Sequence, residues 1–333
     1  MLNRLIMLTA MFTLAFFIPA AQADDTLVVY SGRSKVLVDP LLKRFEEETG
    51  IRVKIRYGRD AELVAALMEE GKRSPADVYW GNTSGALATL SQQGLFAQLP
   101  EDVLNIPKSF VPQSKRWVPV TVRFRVLAYA PSRVSKENLP DSVMDLPKLK
   151  QFKGRIGWTP NYGSFHDFIT GMRQVHGEEA THTWLRDMKA LQPKAYASNT
   201  PMLLALASGE IDVALTNHYY VLRIADKEGE DKVATHHFAS GDVGNLALVT
   251  GAGVLASSKN KEAVHKLLRF LLSNAAQAFA ARTIREYPVV PGVEIPLGLL
   301  PYEQIVKLGP ELDPEKLRDL DGTLNLLRKA GIL

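Results

Sequence analysis

The chain has 333 residues, of which 46% are hydrophobic and 23% are charged, and this composition excludes a disordered chain. The length exceeds that of one ordinary core and suits two lobes or one large α/β domain. The formal net charge is only +4 and the Lys and Arg residues are scattered, which argues against nucleic-acid binding. Cysteine is absent, so disulfides, thiolate metal sites, a thiol nucleophile and a lipid-anchoring cysteine are excluded.

Residues 1–23 have the pattern of a secretory signal peptide. Arg4 precedes an apolar stretch at 5–18, and the small-residue motif at 21–23 is typical of a cleavage site. The apolar stretch is shorter than the ~20 residues that span a bilayer, and Pro19 interrupts it, which disfavours a membrane anchor. We therefore expect an exported chain that starts near Asp24, is not embedded in a membrane, and resides in the bacterial periplasm.

The first part of the expected mature chain alternates between strand and helix patterns. Short apolar or alternating runs predict strands, and apolar residues spaced three and four apart predict helices. In chain order these are a strand at 26–30, a helix at 37–45 that ends at Gly50, a strand at 51–55, a helix at 63–68 and a strand at 77–80. Strand–helix–strand units with right-handed crossovers build a doubly wound lobe.

Two long strand patterns, at 117–130 and 246–255, interrupt this alternation and enclose a second α/β block. We predict that the chain leaves the first lobe, builds a second one and returns, and that the joining strands allow hinge bending. The predicted class is α/β, with two doubly wound lobes joined by two crossover strands. The predicted first lobe comprises 24–123 and 250–300, and the second comprises 124–249 and 301–333.

The sequence has no P-loop, nucleophile elbow, paired-histidine zinc motif or dinucleotide fingerprint. Seven histidines are scattered along the chain, and the adjacent pair at 236–237 would point to opposite faces of a strand, which makes a poor metal pair. We interpret the histidines as surface or packing residues.

Tyrosines follow two predicted strands of the second lobe. Tyr219 and Tyr220 come shortly after the strand predicted at 211–215, and Tyr162 follows the strand predicted at 155–159. Ligands of open α/β sheets bind at the carboxyl ends of the strands, so the tyrosines lie where a ligand is expected. The alternative is that Tyr219 and Tyr220 are half-buried packing residues with hydrogen-bonded hydroxyls.

The chemistry of phenols favours a hard, highly charged cation at such a site. A phenol has a pKa near 10, and a directly bound metal ion displaces its proton. Phenolate is a hard oxygen ligand that suits ferric iron, and three phenolates would neutralise the three charges of Fe³⁺.

With this tyrosine pattern, the chain resembles the bacterial periplasmic ferric-ion binding proteins, the substrate-binding subunits of iron ABC importers. Beyond the tyrosine pair, the resemblance is carried by Val29-Tyr30-Ser31-Gly32-Arg33-Ser34, the run 71–78, the run 123–129, the run 209–215 and Arg285-Glu286-Tyr287-Pro288. It covers essentially the whole mature chain and implies the two-lobed, class II periplasmic binding protein fold. It also implies a monomer that delivers iron to an inner-membrane ABC permease with its ATPase.

Two departures from the family pattern concern the first lobe. Ser34 stands where many members have an iron-binding histidine, and Asn82 stands where some have a glutamate. The resemblance therefore implies no strong direct ligand from the first lobe. It implies that Tyr162, Tyr219 and Tyr220 hold the metal, as in a subgroup with three tyrosine ligands.

The three-tyrosine pattern leaves coordination positions open, and the resemblance implies a synergistic anion, carbonate or bicarbonate, that fills them. Arginine's planar fork suits an oxyanion, and Arg33 and Arg123 are the expected contacts. The backbone amides of Gly163 and Ser164, near a predicted helix N-terminus, are further candidates. Supporting candidates outside the direct contacts are Asn199, Asn217, Ser34 and Arg125. For Arg125 a salt bridge on the lobe surface is an equal alternative.

These observations predict a binding protein that performs no bond-making chemistry. One alternative is a two-lobed binding protein for an oxyanion or a polyamine, with the arginines as primary contacts and no metal. A second is a secreted phosphoryl or acyl hydrolase, for which the sequence offers no nucleophile–base pair.

Overall fold

The computed structural model describes residues 26–108 and 110–333, so the predicted signal peptide at 1–23 lies outside the described residues. The strands are β1 (Thr26–Ser31), β2 (Arg52–Tyr57), β3 (Val78–Gly81), β4 (Trp117–Tyr129), β5 (Ile156–Trp158), β6 (Lys194–Ala195), β7 (Val213–Asn217), β8 (Ala234–His236), β9 (Ala247–Val254) and β10 (Tyr287–Pro288). The helices are α1 (Lys35–Thr49), α2 (Asp60–Glu70), α3 (Ser84–Gln92), α4 (Gly163–His176), α5 (Glu178–Ala190), α6 (Asn199–Ala207), α7 (His218–Glu228), α8 (Lys261–Leu271), α9 (Asn274–Ile284), α10 (Tyr302–Ile305) and α11 (Leu320–Lys329).

Local sequence signals explain where several helices begin and end. In α1 the apolar stripe from Leu37 to Phe45 is buried, and Gly50 ends the helix in the left-handed conformation, with φ of 72°. Helix α9 begins after Ser273, whose hydroxyl accepts a hydrogen bond from the backbone N–H of Ala276. The predicted α/β alternation is therefore confirmed, with boundaries shifted by a few residues.

The sheet order is β2-β1-β3-β9-β4-β7-β5-β6, and β8 and β10 also pair with β4. In the first lobe β1, β2 and β3 are parallel, whereas β9 and β4 join them in antiparallel pairs. In the second lobe β5 is parallel to β6 and β7, and β7 is antiparallel to β4. Strand β4 changes its partners at residues 124–125: up to Phe124 it pairs with β9, and from Arg125 onwards with β7.

Each lobe has its own hydrophobic core. Residues of α1, α8 and α9 pack with β1 and β3 in the first lobe, and residues of α4, α5 and α11 pack with β5 and β7 in the second. The two-lobed fold with two crossover strands, β4 and β9, is confirmed. The domain boundaries remain a prediction, and within the segment 301–333 the side chains of Ile305 and Leu308 pack with first-lobe residues such as Tyr30.

Within the described residues, no helix combines the length and the apolar character needed to cross a lipid bilayer.

Candidate binding site

A cavity of about 510 Å³ lies between the two lobes, at the carboxyl ends of β1, β3, β5 and β7. It is lined by residues that follow these strands, by Arg123 of β4 and by Ile284 and Glu286. All the predicted site residues line it except Asn199 and Arg125. A cavity of about 630 Å³ elsewhere is lined mainly by residues 305–317 and by parts of α4, and its described lining contains neither tyrosine nor arginine. The smaller cavity is therefore the candidate site.

The three predicted tyrosines meet on the second-lobe wall of this cavity. Strands β5 and β7 are parallel neighbours, so the residues that follow them lie side by side. Tyr162 is the residue before α4, and Tyr219 and Tyr220 lie in the first turn of α7. The hydroxyl oxygens of Tyr162 and Tyr220 are 3.0 Å apart, and the ring centres of Tyr219 and Tyr220 are 4.3 Å apart. The structure thus brings the three aromatic rings to one place.

The two bonded hydroxyls keep their protons at neutral pH. Burial and, to a smaller extent, the hydrogen bond with Tyr220 together raise the pKa of Tyr162 to about 12. Burial also raises the pKa of Tyr220 to about 12, and repulsion from the Tyr219 oxygen acts in the same direction. Only a strong electrophile such as a metal cation would displace these protons.

The first-lobe wall is a network of two arginines, one amide and one carboxylate. Arg33 donates to Asn82 Oδ1 at 2.5 Å and to Glu286 Oε2 at 2.8 Å. Arg123 donates to the backbone carbonyl of Asn82 at 2.5 Å and to its Oδ1 at 3.2 Å. The Arg123 Nη1 atom is 4.0 Å from Glu286 Oε1. The loop that carries Arg33 needs Gly32, because a Cβ at that residue would overlap with Asp60 Oδ1.

The charge of this wall comes from the Glu286 carboxylate and from the guanidinium groups of Arg33 and Arg123. Burial alone would raise the pKa of Glu286, but Arg33 and Arg123 outweigh it and hold that pKa below its ordinary value. The ionised carboxylate lies near both guanidinium groups, and Asp60 and Asp167 also attract that of Arg123. The Nε atoms of both arginines are buried without a hydrogen-bond partner in the described structure. The wall therefore presents two guanidinium groups to the cavity, and these are donors that suit an anion.

Arg125 lies behind the tyrosines rather than in the cavity. Its side chain is 1% exposed, and its Nη1 donates to Asn217 Oδ1 at 2.9 Å and to Ser164 Oγ at 3.3 Å. Burial lowers its pKa to about 9. The surface salt bridge considered for this residue is wrong because the side chain is buried and its described hydrogen-bond partners are neutral. Arg125 instead ties the start of α4 to the start of α7.

The other predicted residues occupy different positions around the cavity. Ser34 precedes α1 and lines the cavity, and its hydroxyl does not cap the helix. Gly163 is the first residue of α4, and the space beside its Cα is open. Asn199 is fully buried outside the cavity lining, and its amide oxygen and nitrogen have no hydrogen-bond partner in the described structure.

Two charged residues of the cavity lining were missed from the sequence. Arg223 follows Tyr220 by three residues, which places it one helical turn further along the same face. Its guanidinium lies 5.1 Å from the ring centre of Tyr219, and it donates to the carbonyl of Ile284 at 3.1 Å. The helical spacing could have revealed Arg223. Glu286 gave no such signal, because its partner Arg33 is 253 positions away in the chain.

The cavity lining offers few kinds of side chain that could bind an ion. Over residues 26–108 and 110–333, no group of three or more histidine and carboxylate side chains could hold a metal ion. The Glu286 carboxylate is engaged by Arg33 and Arg123, so the phenol oxygens are the ligands that remain for a cation. The arginines are the groups that the site offers an anion.

Comparison with known proteins identifies the family. Residues 31–278 match the model of the family described as bacterial extracellular solute-binding protein. The chain is 34% identical over 319 residues to the major ferric iron-binding protein of Neisseria meningitidis, covering 94% of this chain and 95% of that protein. It is 30% identical to the Fe(3+)-binding periplasmic protein of Serratia marcescens, covering 98% and 96%.

Among solved structures, iron-bound HitA from Pseudomonas aeruginosa superimposes with a TM-score of 0.81 at 34% identity, covering 92% of this chain and 99% of HitA. The chain therefore belongs to the bacterial extracellular solute-binding protein family, and within it to the periplasmic ferric iron-binding proteins.

Proposed function

We propose that this protein captures ferric iron in the cleft between its lobes and delivers it to an ABC importer. Tyr162, Tyr219 and Tyr220 supply phenolate ligands to the metal, as the three-tyrosine pattern implies. The observation that carries this proposal is the convergence of the three tyrosines on one wall, with two hydroxyl oxygens 3.0 Å apart. Relatives named for ferric iron binding, which match nearly the whole chain, support it.

An anion completes the proposed site. A trivalent cation beside Arg33 and Arg123 would be repelled unless a negative group lay between them, and carbonate or bicarbonate fits that position. The arginines and the amides at the start of α4, at Gly163 and Ser164, would hold this anion. Asn199, Asn217, Ser34 and Arg125 would support the ligands from outside.

The anion also explains why the two lobes would close over the bound metal. It contacts the metal on the second lobe and the arginines on the first, so its full set of contacts exists only when the lobes meet. The lobes we propose are those predicted from the sequence, with boundaries at 123/124, 249/250 and 300/301. In this proposal a monomer in the periplasm presents its closed form to an inner-membrane permease with its ATPase and makes or breaks no covalent bond of a substrate.

The test is the absorption band that a ferric–phenolate bond produces. We expect the wild-type protein to become coloured with ferric citrate and bicarbonate, and the variant Tyr219→Phe/Tyr220→Phe to remain colourless. Tyr196→Phe is the matched control, since its hydroxyl donates to Glu210 outside the cavity lining. A full-strength band in the double variant would refute the proposal.

The alternative is a metal-free binding protein for an oxyanion or a polyamine. The guanidinium groups of Arg33 and Arg123 in the cavity lining favour an oxyanion, whereas they would repel a cationic polyamine. Calorimetry with sulfate and phosphonate in iron-free buffer separates the two functions. Tight binding of either anion without iron, together with no ferric colour, would establish the alternative.

A further inference from the structure

A buried histidine lies where β4 passes from one lobe to the other. His218 is 2% exposed, and its Nδ1 accepts a hydrogen bond from the backbone N–H of Phe124 at 3.1 Å. Phe124 is the last residue of β4 that pairs with β9, before the pairing with β7 begins. The imidazole thus bonds the backbone at the point where the crossover strand changes lobes.

The other ring nitrogen of His218 bonds the first lobe. Since Nδ1 accepts a hydrogen bond, Nε2 carries the proton and donates it to the backbone carbonyl of Arg285 at 2.8 Å. Arg285 ends α9 with a φ of 59°, a left-handed conformation that is uncommon for a residue other than glycine. Helix α9 belongs to the first-lobe core through residues such as Ala280 and Ile284. His218 therefore joins α7 of the second lobe to the end of α9.

Two more contacts join the same helices. Arg223 donates to the carbonyl of Ile284, and Arg285 forms an ion pair with Asp226 at 3.2 Å. The last carbonyls of a helix lack partners within the helix and carry partial negative charge, so they attract donors and cations. Three side chains of α7, those of His218, Arg223 and Asp226, thus attach this helix to the C-terminal end of α9.

The ring of His218 also packs against one of the proposed ligands, Tyr219. Its centre lies 5.8 Å from that of Tyr219 in an edge-on arrangement and 4.6 Å from that of Tyr287 on β10. Tyr219 is the next residue in the chain, so a shift of His218 shifts the first turn of α7.

We propose that His218 is a positioning residue that couples lobe closure to the placement of Tyr219 and Tyr220. The carbonyl of Arg285 moves with the first lobe, and the bond to Nε2 transmits this movement to the first turn of α7. This inference rests on the proposed function for the role of the tyrosines. The coupling itself concerns the hinge and is measurable without iron.

Two substitutions of His218 each remove one hydrogen bond of the imidazole and keep the other. The amide oxygen of asparagine can take the place of Nδ1, so His218→Asn keeps an acceptor for Phe124 but loses the reach to Arg285. The terminal amide of glutamine reaches the place of Nε2, so His218→Gln keeps a donor to Arg285 but loses the acceptor near the backbone. His236→Asn is the control, since His236 is another buried histidine bonded to a carbonyl, that of Pro140, at 2.9 Å.

The distance between the lobes is the readout that needs no metal. Because the chain has no cysteine, Lys43→Cys on α1 and Arg186→Cys on α5 give one exposed spin-label site on each lobe. We expect His218→Asn to shift the iron-free population towards longer distances. His218→Gln and His236→Asn should keep the wild-type distribution. Iron release to excess citrate should be about tenfold faster in His218→Asn, the effect of one lost hydrogen bond, and near the wild-type rate in His218→Gln.

The outcomes are distinct. A purely structural role predicts equal effects of His218→Asn and His218→Gln on distance and release, and equal effects would overturn the proposal. If His218→Asn does not fold, Asp226→Asn weakens the same attachment from an exposed position and should lengthen the distance in the same direction. An unchanged distance in that variant would then overturn the proposal. A protein that binds no iron but shows the distance shift would refute only the proposed function.

Discussion

The two walls of the cleft differ in how their polar groups are satisfied. On the first-lobe wall, Arg33, Arg123, Asn82 and Glu286 bond with one another, so that wall is held in place before any ligand arrives. On the second-lobe wall, one hydrogen bond joins Tyr162 to Tyr220. In the proposed function, the first wall is therefore preorganised for an anion, and the second exchanges its protons for a cation.

The pH dependence of iron binding should show the largest effect, and it tests whether the second-lobe wall exchanges protons for a metal ion. The pKa values of Tyr162 and Tyr220 are near 12, so both phenols are protonated at neutral pH, and each would release one proton on binding iron. These two protons alone should lower the affinity about 100-fold for each unit by which the pH falls, and a proton from the third proposed ligand, Tyr219, would add to the effect. Calorimetry in buffers of different ionisation enthalpy would count the released protons, and a count of zero would contradict phenolate ligation.

Removing the carboxylate should break the first-lobe wall. In Glu286→Gln the guanidinium groups of Arg33 and Arg123 lose the charge that compensates them, so the free energy of unfolding should fall by about 3–5 kcal/mol. Urea unfolding measures this change. Glu210→Gln is the control, because its ion pair with Lys194 is exposed and should contribute less than about 1 kcal/mol. An equal decrease in the free energy of unfolding in the two variants would show that the charge of Glu286 does not hold the first-lobe wall together.

Removing one hydroxyl should affect only the second-lobe wall. Tyr162→Phe should weaken iron binding by at least about 10–100-fold, the loss typical of supporting residues in metal sites. Its thermal stability should stay close to that of the wild type, since the hydroxyl bonds only Tyr220. Competition with citrate measures the affinity, and an unchanged value would remove Tyr162 from the proposed ligand set.

The smallest expected effect concerns Asp167, one turn after Gly163 in α4. Burial raises its pKa to about 7, and Asp60 acts in the same direction against Arg123 and Arg125. The folded state thus binds more protons than the unfolded state between about pH 4 and 7, so stability falls as the pH rises through this range.

Asp167→Asn should therefore stabilise the protein at about pH 8 and have no effect near pH 4. The gain should be on the order of 1 kcal/mol, less than the full pKa shift implies, because Asp167 is only partly buried. Urea unfolding at both pH values, with the exposed Asp187→Asn as a control, measures this. A loss of stability at the higher pH would show that attraction to the arginines outweighs the burial of the charge.

The fold and the positions of the tyrosines followed from local patterns. Apolar runs and helical spacing predicted the order of the elements, and the rule on carboxyl ends of parallel strands placed Tyr162 beside the pair after β7. That rule worked because β5 and β7 are parallel neighbours, as are β1 and β3 on the other wall.

The charge network could not be predicted in the same way. Glu286 reaches the cleft because β10, a strand of two residues, pairs with β4 at Thr121 and Val122. So short a strand leaves no periodic signal in the sequence. The role of Arg125 was open for a related reason: alternation along β4 says which face a side chain is on, but not which helix covers that face.

Strand β4 has a consequence for how the chain reaches its folded state. All thirteen of its residues are buried, and its side chains enter the cores of both lobes. The first lobe also needs β9 and α9, and the second needs α11, near the end of the chain. Neither lobe can therefore be completed during synthesis until the final segments have emerged. The two lobes, although the proposed function has them move relative to each other, should melt in a single calorimetric transition.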